Sequence, residues 1–385
     1  MDRIPLETVR DLLRLGEALP FRVLDSQERL LLNAGHRLID EAQFEALIER
    51  GAWAERLLVE AERAAQALAA AGPAAPAPAV LVASLFDRWE RLLWQFDKLS
   101  RGLARSEVPG HSVLPFWKSL QALVDVDPDV ALFFCFRQDD RRFALYAQHH
   151  AIHCAVLTQL AARVLGWPAA RQDSLGCAAL TMNLAMLELQ ALMAEQRDPP
   201  TKRQLERIRA HPEAAVALLR AAGITDTEWL NTVLQHHEQH KGGGYPHNLA
   251  EVSDAAQLLR AADVYMAKVS PRALRPAMAP MLAMRQLFQQ NPGDPLAMAM
   301  IKSVGIHPPG TLVLLQSGEV GVVIRRPATG TQPTVATLSD KQGRPVADTQ
   351  RRDTAEAGYG IQGPLADTKL FPRVLPDRVY GWIAA

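Results

Sequence analysis

The sequence predicts a mainly α-helical protein, with a helical central domain between a small N-terminal α/β module and a small β-rich C-terminal domain. Three observations lead there. Between residues 56 and 290 apolar residues recur at three- and four-residue steps, the period of one helix face. The two ends break instead into short apolar runs separated by turn residues. The strings "GPAAPAPA" and "QQNPGDP" interrupt the helical pattern where one part gives way to the next.

In chain order, "FRVLD" and "RLLLNAGHRLI" read as two strands, and "DEAQFEALIERG" as a helix capped by Asp40 and ended by Gly51. Residues 1–55 thus form a module, either a packing platform or a sensory, partner-binding unit. Residues 56–110 hold helices around the Pro/Ala linker; Leu81, Leu85, Trp89, Leu92 and Phe96 make an amphipathic stripe suited to a core or to a homodimer. The helical domain spans 111–292. In it "LPFWKSLQALVDVDPDVALFFCF" gives two helices broken at Asp127-Pro128. From 300 to 385, "HPPGTLVLLQSGEVGVVIRRP" reads as a hairpin turning at Ser317-Gly318, and "TVATLSDKQGRPVA" as a further strand pair.

Composition narrows the function classes. Lys+Arg and Asp+Glu number 42 each, which argues against a broad nucleic-acid surface. Three widely spaced cysteines, Cys135, Cys154 and Cys177, offer neither a disulfide framework nor zinc-finger spacing and favour a reducing compartment. The charged start "MDRIPLETVRDLLRLGE" is unlike a secretory leader. The most apolar run, "LGCAALTMNLAMLELQALMA", contains Asn183, Glu188 and Gln190 and reads as a buried helix, not a membrane span. A cytoplasmic protein is expected. No Walker loop, nucleophile elbow or dinucleotide fingerprint is present.

Chemistry concentrates in one stretch, His236-His237-Glu238-Gln239-His240-Lys241-Gly242-Gly243-Gly244-Tyr245-Pro246. Imidazole is the commonest protein metal ligand, and a glycine run lets backbone approach a phosphate. With His150 ahead of "VLGW", His211 in "IRAHPEAAVALL", Asp263 in "RAADVYMA" and Arg272 and Arg275 beyond, this ordered set resembles the HD-GYP family, helical metal-dependent phosphodiesterases that open cyclic di-GMP. The resemblance covers roughly residues 140–290.

The resemblance implies metal ligation by His150, His211, His236, His237 and Asp263. It also implies ligand contacts from Lys241, Gly242, Gly243, Gly244, Tyr245, Pro246, Arg272 and Arg275. His149 and His153 share a helix face with His150 and read as surface or supporting residues. Six positions depart from the family pattern. Met182-Asn183 replaces the His-Asp pair, Met186 stands where a phosphate-contacting lysine is usual, and Tyr146 where some members have a carboxylate. Gln239 and Lys241 replace the usual Arg and Asp of the loop. A neutral amide cannot offset the repulsion of two divalent cations. The expectation is therefore one divalent metal, iron or manganese by resemblance, or none. Two functions stay open: a non-catalytic regulatory or scaffold module that binds cyclic di-GMP or signalling proteins, and a metal-dependent cyclic di-GMP phosphodiesterase, or other phosphohydrolase, with a reduced, mononuclear site.

Overall fold

The structure, a computed structural model, describes residues 2–70, 83–137, 142–290, 292–327, 331–365 and 376–381. The "GPAAPAPA" linker lies outside the described residues. The chain divides into two compact units, Met1–Lys98 with Asp140–Tyr146, and Leu99–Asp139 with Ala147–Ala385.

In the first unit a four-stranded antiparallel sheet runs β1-β4-β2-β3, from β1 (Arg3–Pro5), β2 (Val23–Leu24), β3 (Leu30–Leu32) and β4 (Trp53–Glu55). The two strands expected from the sequence are β2 and β3, both shorter than their apolar runs. β1 and β4 are only three residues each, too brief for an alternating pattern to stand out. Helix α1 (Glu41–Glu49) starts where Asp40 accepts the Gln43 amide, and Gly51 follows it with a φ of +64°. Helices α2 (Arg56–Ala70) and α3 (Leu85–Ala104) follow. Buried charges in this unit are paired: Glu90 accepts from Arg142 at 2.5 and 3.0 Å and from the Trp94 indole at 3.0 Å.

The second unit is helical with one sheet. Its helices are α4 (Val113–Val126), α5 (Pro128–Phe136), α6 (Tyr146–Val164), α7 (Ala169–Thr181), α8 (Leu187–Glu195), α9 (Lys202–Ala221), α10 (Thr227–Gln235), α11 (Asp254–Val269), α12 (Pro280–Gln290) and α13 (Pro295–Val304). Tyr146 itself falls in the first unit. The break at Asp127-Pro128 occurs as read: Asp127 caps α5 by accepting the amides of Asp129 and Val130. The apolar run 175–194 is not one helix. α7 stops at Thr181, Met182 caps it, and a 3₁₀ turn at Leu184–Met186 precedes α8. Among the described residues the stretch Ala169–Glu195 alone is long and apolar enough to cross a membrane, and 72% of its most apolar window is buried in the fold.

The C-terminal sheet runs β8-β7-β6-β5-β9, from β5 (Leu312–Leu315), β6 (Val320–Arg325), β7 (Thr334–Thr337), β8 (Arg351–Asp353) and β9 (Ile361–Pro364), all antiparallel. The hairpin at Ser317-Gly318 is β5–β6, with Gly318 at φ +86°. The second expected pair is different: β7 pairs with β6 and β8, and "GRPVA" contributes only a bridge between Ser339 and Pro345. Val313, Leu315, Val323 and Val335 form the sheet's core. Arg325 and Arg326 reach the carboxylates of Asp127 and Asp129 at the start of α5, tying β6 to the helices.

α4 and α7 approach closely because α7 carries Gly176. A Cβ there would lie 2.3 Å from the Trp117 ring, whose Nε1 donates to Asp173 at 2.9 Å. Helix propensity alone favours alanine over glycine by about 1 kcal/mol. The fully buried indole cannot yield, so Gly176→Ala is expected to destabilise the fold by about 1–3 kcal/mol, read as a lower urea midpoint.

Candidate metal centre

Four helices supply the side chains: α6 carries His150 and Cys154, α9 carries His211, α11 carries Asp263, and His236 and His237 follow the end of α10. They form two donor sets, His211–His236–His237 and His150–Cys154–Asp263, each with ligand atoms within 4.8 Å of one another. All five residues expected as metal ligands are therefore brought together, as two adjoining groups instead of one. Asp263 touches both: Oδ1 is 2.7 Å from His150 Nε2, and Oδ2 is 3.9 Å from His237 Nδ1.

Two backbone defects set the state of the first group. Pro212 has no N–H, so the carbonyl of Ile208 loses its helical donor. The neighbouring His211 fills that gap, its Nδ1–H donating to Ile208 O at 2.5 Å. At the end of α10 the Val233 carbonyl is one of the last-turn carbonyls without a helical partner. His236 Nδ1–H donates to it at 2.6 Å. Each ring is thereby fixed in the tautomer whose Nε2 carries a lone pair. Those two Nε2 atoms face each other at 3.1 Å in a fully buried position. Two acceptors at that distance repel unless a cation or proton lies between them.

Protons are poorly suited to the task. Burial pushes His211 down to about 4, with the His237 charge adding to it; burial and His211 push His236 down to about 3; burial and His236 push His237 down to about 3. Asp263 remains a carboxylate. Burial pushes it up, but the His150 hydrogen bond and the surrounding imidazoles outweigh that and hold it well below the usual range. The donor set is thus neutral imidazole plus carboxylate, which fits a divalent metal. His211, His236 and His237 could hold one ion, with His150 and Asp263 beside it.

The glycine loop is built differently from the sequence expectation. Lys241, Gly242 and Gly243 have φ of +73°, +89° and +91°, but their amides are used within the loop: Lys241 N donates to Ala250 O, Gly242 N to Gln239 O and Gly243 N to Asn248 Oδ1. These amides are not free to cradle a phosphate. Gly244 is needed for contact, since a Cβ would sit 2.4 Å from the Glu238 Cα. Tyr245, joined to Pro246 by a cis bond, stacks on His237 with ring centroids 4.6 Å apart. Lys241 is exposed. The Arg275 guanidinium donates to the carbonyls of Ala267 and Lys268 near the end of α11, and Arg272 exchanges backbone hydrogen bonds with Arg275.

Three features escaped the sequence reading. Glu238 is fully buried and accepts the amides of His247 at 2.6 Å and Leu249 at 3.0 Å, so the glutamate of "HHE" clamps the loop. Cys154 Sγ lies 3.7 Å from His150 Nε2, one helical turn on. Arg209 and Arg260 are close enough to Tyr245 to oppose the upward push that burial and Asp263 give its phenol, and Arg260 also faces Asp263. The i,i+3 spacing of Arg260 and Asp263 was the available signal. His153 is not a surface residue: it is buried edge-on against Phe134, and burial lowers its pKa. At the departing positions Met182, Asn183, Met186 and Tyr146 are all buried, and among the described residues the Asn183 Oδ1 has no hydrogen-bond partner.

Two outcomes follow for metal-stripped protein. A histidine whose folded pKa lies below its unfolded value leaves the unfolded chain binding more protons, so stability is full above about pH 6.5 and falls as pH drops toward 4. Each imidazole kept neutral adds a slope of about 1.4 kcal/mol per pH unit. Urea midpoints at pH 7, 6 and 5 should fall accordingly, and His236→Gln should flatten the trend. Pro212→Ala returns an amide to Ile208 O and frees the His211 tautomer. It should raise thermal stability yet weaken divalent-metal affinity by about 10-fold, measured by calorimetry.

Residues 139–294 match the HD domain family. A cyclic di-GMP phosphodiesterase, PA4108 of Pseudomonas aeruginosa, is 29% identical over 185 residues, 47% of this chain and 45% of that protein. This chain thus spans less than half the length of that curated relative. A solved HDG"Y"P protein from Bdellovibrio bacteriovorus aligns with a TM-score of 0.48 at 14% identity, over 78% of this chain and 98% of that one. Residues 139–294 are similar to HD domains, in a chain that resembles the HD-GYP proteins.

Proposed function

We propose that this protein is a metal-dependent phosphodiesterase of the HD-GYP type acting on a cyclic dinucleotide, cyclic di-GMP by its relative's activity. This is the second of the two functions read from the sequence. One observation carries the choice: the His211 and His236 Nε2 lone pairs are aimed at each other at 3.1 Å in a buried position, with both Nδ1 atoms committed to backbone carbonyls. A vestigial cluster would be expected to relax such a repulsion by rotating one ring or replacing it.

A bound divalent metal supplies hydroxide at neutral pH by lowering the pKa of its water from 15.7 to about 7. His211, His236 and His237 would hold it, with His150 and Asp263 beside them. Tyr245 positions the His237 ring by stacking, and Arg209 and Arg260, near Tyr245, are the cations suited to an incoming phosphodiester. Elemental analysis of the untreated full-length protein should find at least one divalent ion per chain. Cyclic di-GMP hydrolysis should require it, and His236→Ala should lower turnover by about 100-fold.

Met182-Asn183 favours the regulatory reading, since an amide supplies no bridging charge. That reading expects cyclic di-GMP binding, or a protein partner, with no product and no dependence on metal.

A further inference from the structure

We infer that Cys154 is a metal ligand, and that with His150 and Asp263 it forms a soft cation position that selects a thiophilic ion such as zinc or cobalt over manganese. The inference rests on the reading of the site as metal-binding and specifies which ion it takes and through which atom.

Position comes first. Cys154 follows His150 by one helical turn on α6, so both side chains leave the same face, and both are buried. Zinc bonds of about 2.3 Å to sulfur and about 2.0–2.1 Å to nitrogen at a tetrahedral angle place the two donor atoms about 3.6 Å apart. The observed Sγ to Nε2 separation is 3.7 Å. Asp263 Oδ1 sits 2.7 Å from the same nitrogen, a hydrogen-bond distance. It would have to withdraw by roughly 0.6 Å to share an ion with it. The whole set already lies within 4.8 Å.

Chemistry decides which ion. Thiolate is a poor partner for manganese and a good one for zinc or cobalt. When the metal–sulfur bond forms, the Cys154 S–H bond breaks and its proton leaves to solvent; the proton that His150 Nε2 donates to Asp263 moves to the ring's Nδ1, which frees the Nε2 lone pair for the ion. The sulfur stays at thiolate oxidation level, so no oxidant or reductant takes part. Cys135 and Cys177 are also free and buried, but among the described residues neither belongs to a donor group.

Cobalt(II) added to the metal-stripped full-length protein reads this directly. A near-ultraviolet thiolate-to-cobalt charge-transfer band is expected beside the visible ligand-field bands. It should vanish in Cys154→Ser while the visible bands persist. It should survive in a Cys135→Ser/Cys177→Ser variant, which retains Cys154 alone and does not depend on the fold of Cys154→Ser. Zinc affinity should fall by about 10- to 100-fold in Cys154→Ser, with manganese affinity unchanged. Visible bands without the charge-transfer band in the native chain would leave a metal site standing and remove Cys154 from it. No cobalt spectrum at all would overturn both this inference and the metal-dependent reading.

Discussion

The centre of this protein is organised by a repulsion. His211 and His236 present bare nitrogens to one another inside the fold, and each is held there by a carbonyl that the helices themselves cannot satisfy. One carbonyl is orphaned by Pro212, the other by the end of α10. A proline within a helix and a helix terminus are usually costs of folding. Here each becomes the feature that selects a histidine tautomer. The surrounding elements keep the arrangement fixed: Asp263 spans the two donor sets, and Tyr245 lies flat against His237.

Much of this was legible in the sequence because histidine, proline and glycine carry strong local rules. His-Pro, His-His and the Gly-Gly-Gly-Tyr-Pro run located the centre, and Asp127-Pro128 located a helix break. The twofold grouping of the donors was not legible, because it depends on how α6 and α11 meet α9 and α10, and sequence separation is silent on that. Cys154 was passed over as one more apolar residue on an apolar helix. Burial makes cysteine look like a small hydrophobe until a histidine is found one turn away.

The glycine run illustrates the opposite difficulty. Three glycines suggested backbone amides open to a phosphate, yet the loop spends those amides on Gln239, Asn248 and Ala250. The pattern correctly announced unusual φ values but not their purpose. The apolar segment 175–194 misled in a similar way. Hydropathy saw continuity, while Met182 and Asn183 end one helix and a 3₁₀ turn begins the next. Met182, Asn183 and Met186 thus fall at a joint between helices, where the α-helical pattern gives way to a 3₁₀ turn.

The loop after α10 is braced from inside. Gly244 rests on the backbone of Glu238, and the buried Glu238 carboxylate grips the chain again at His247 and Leu249. A push on Tyr245 would travel straight into the His237 ring beneath it.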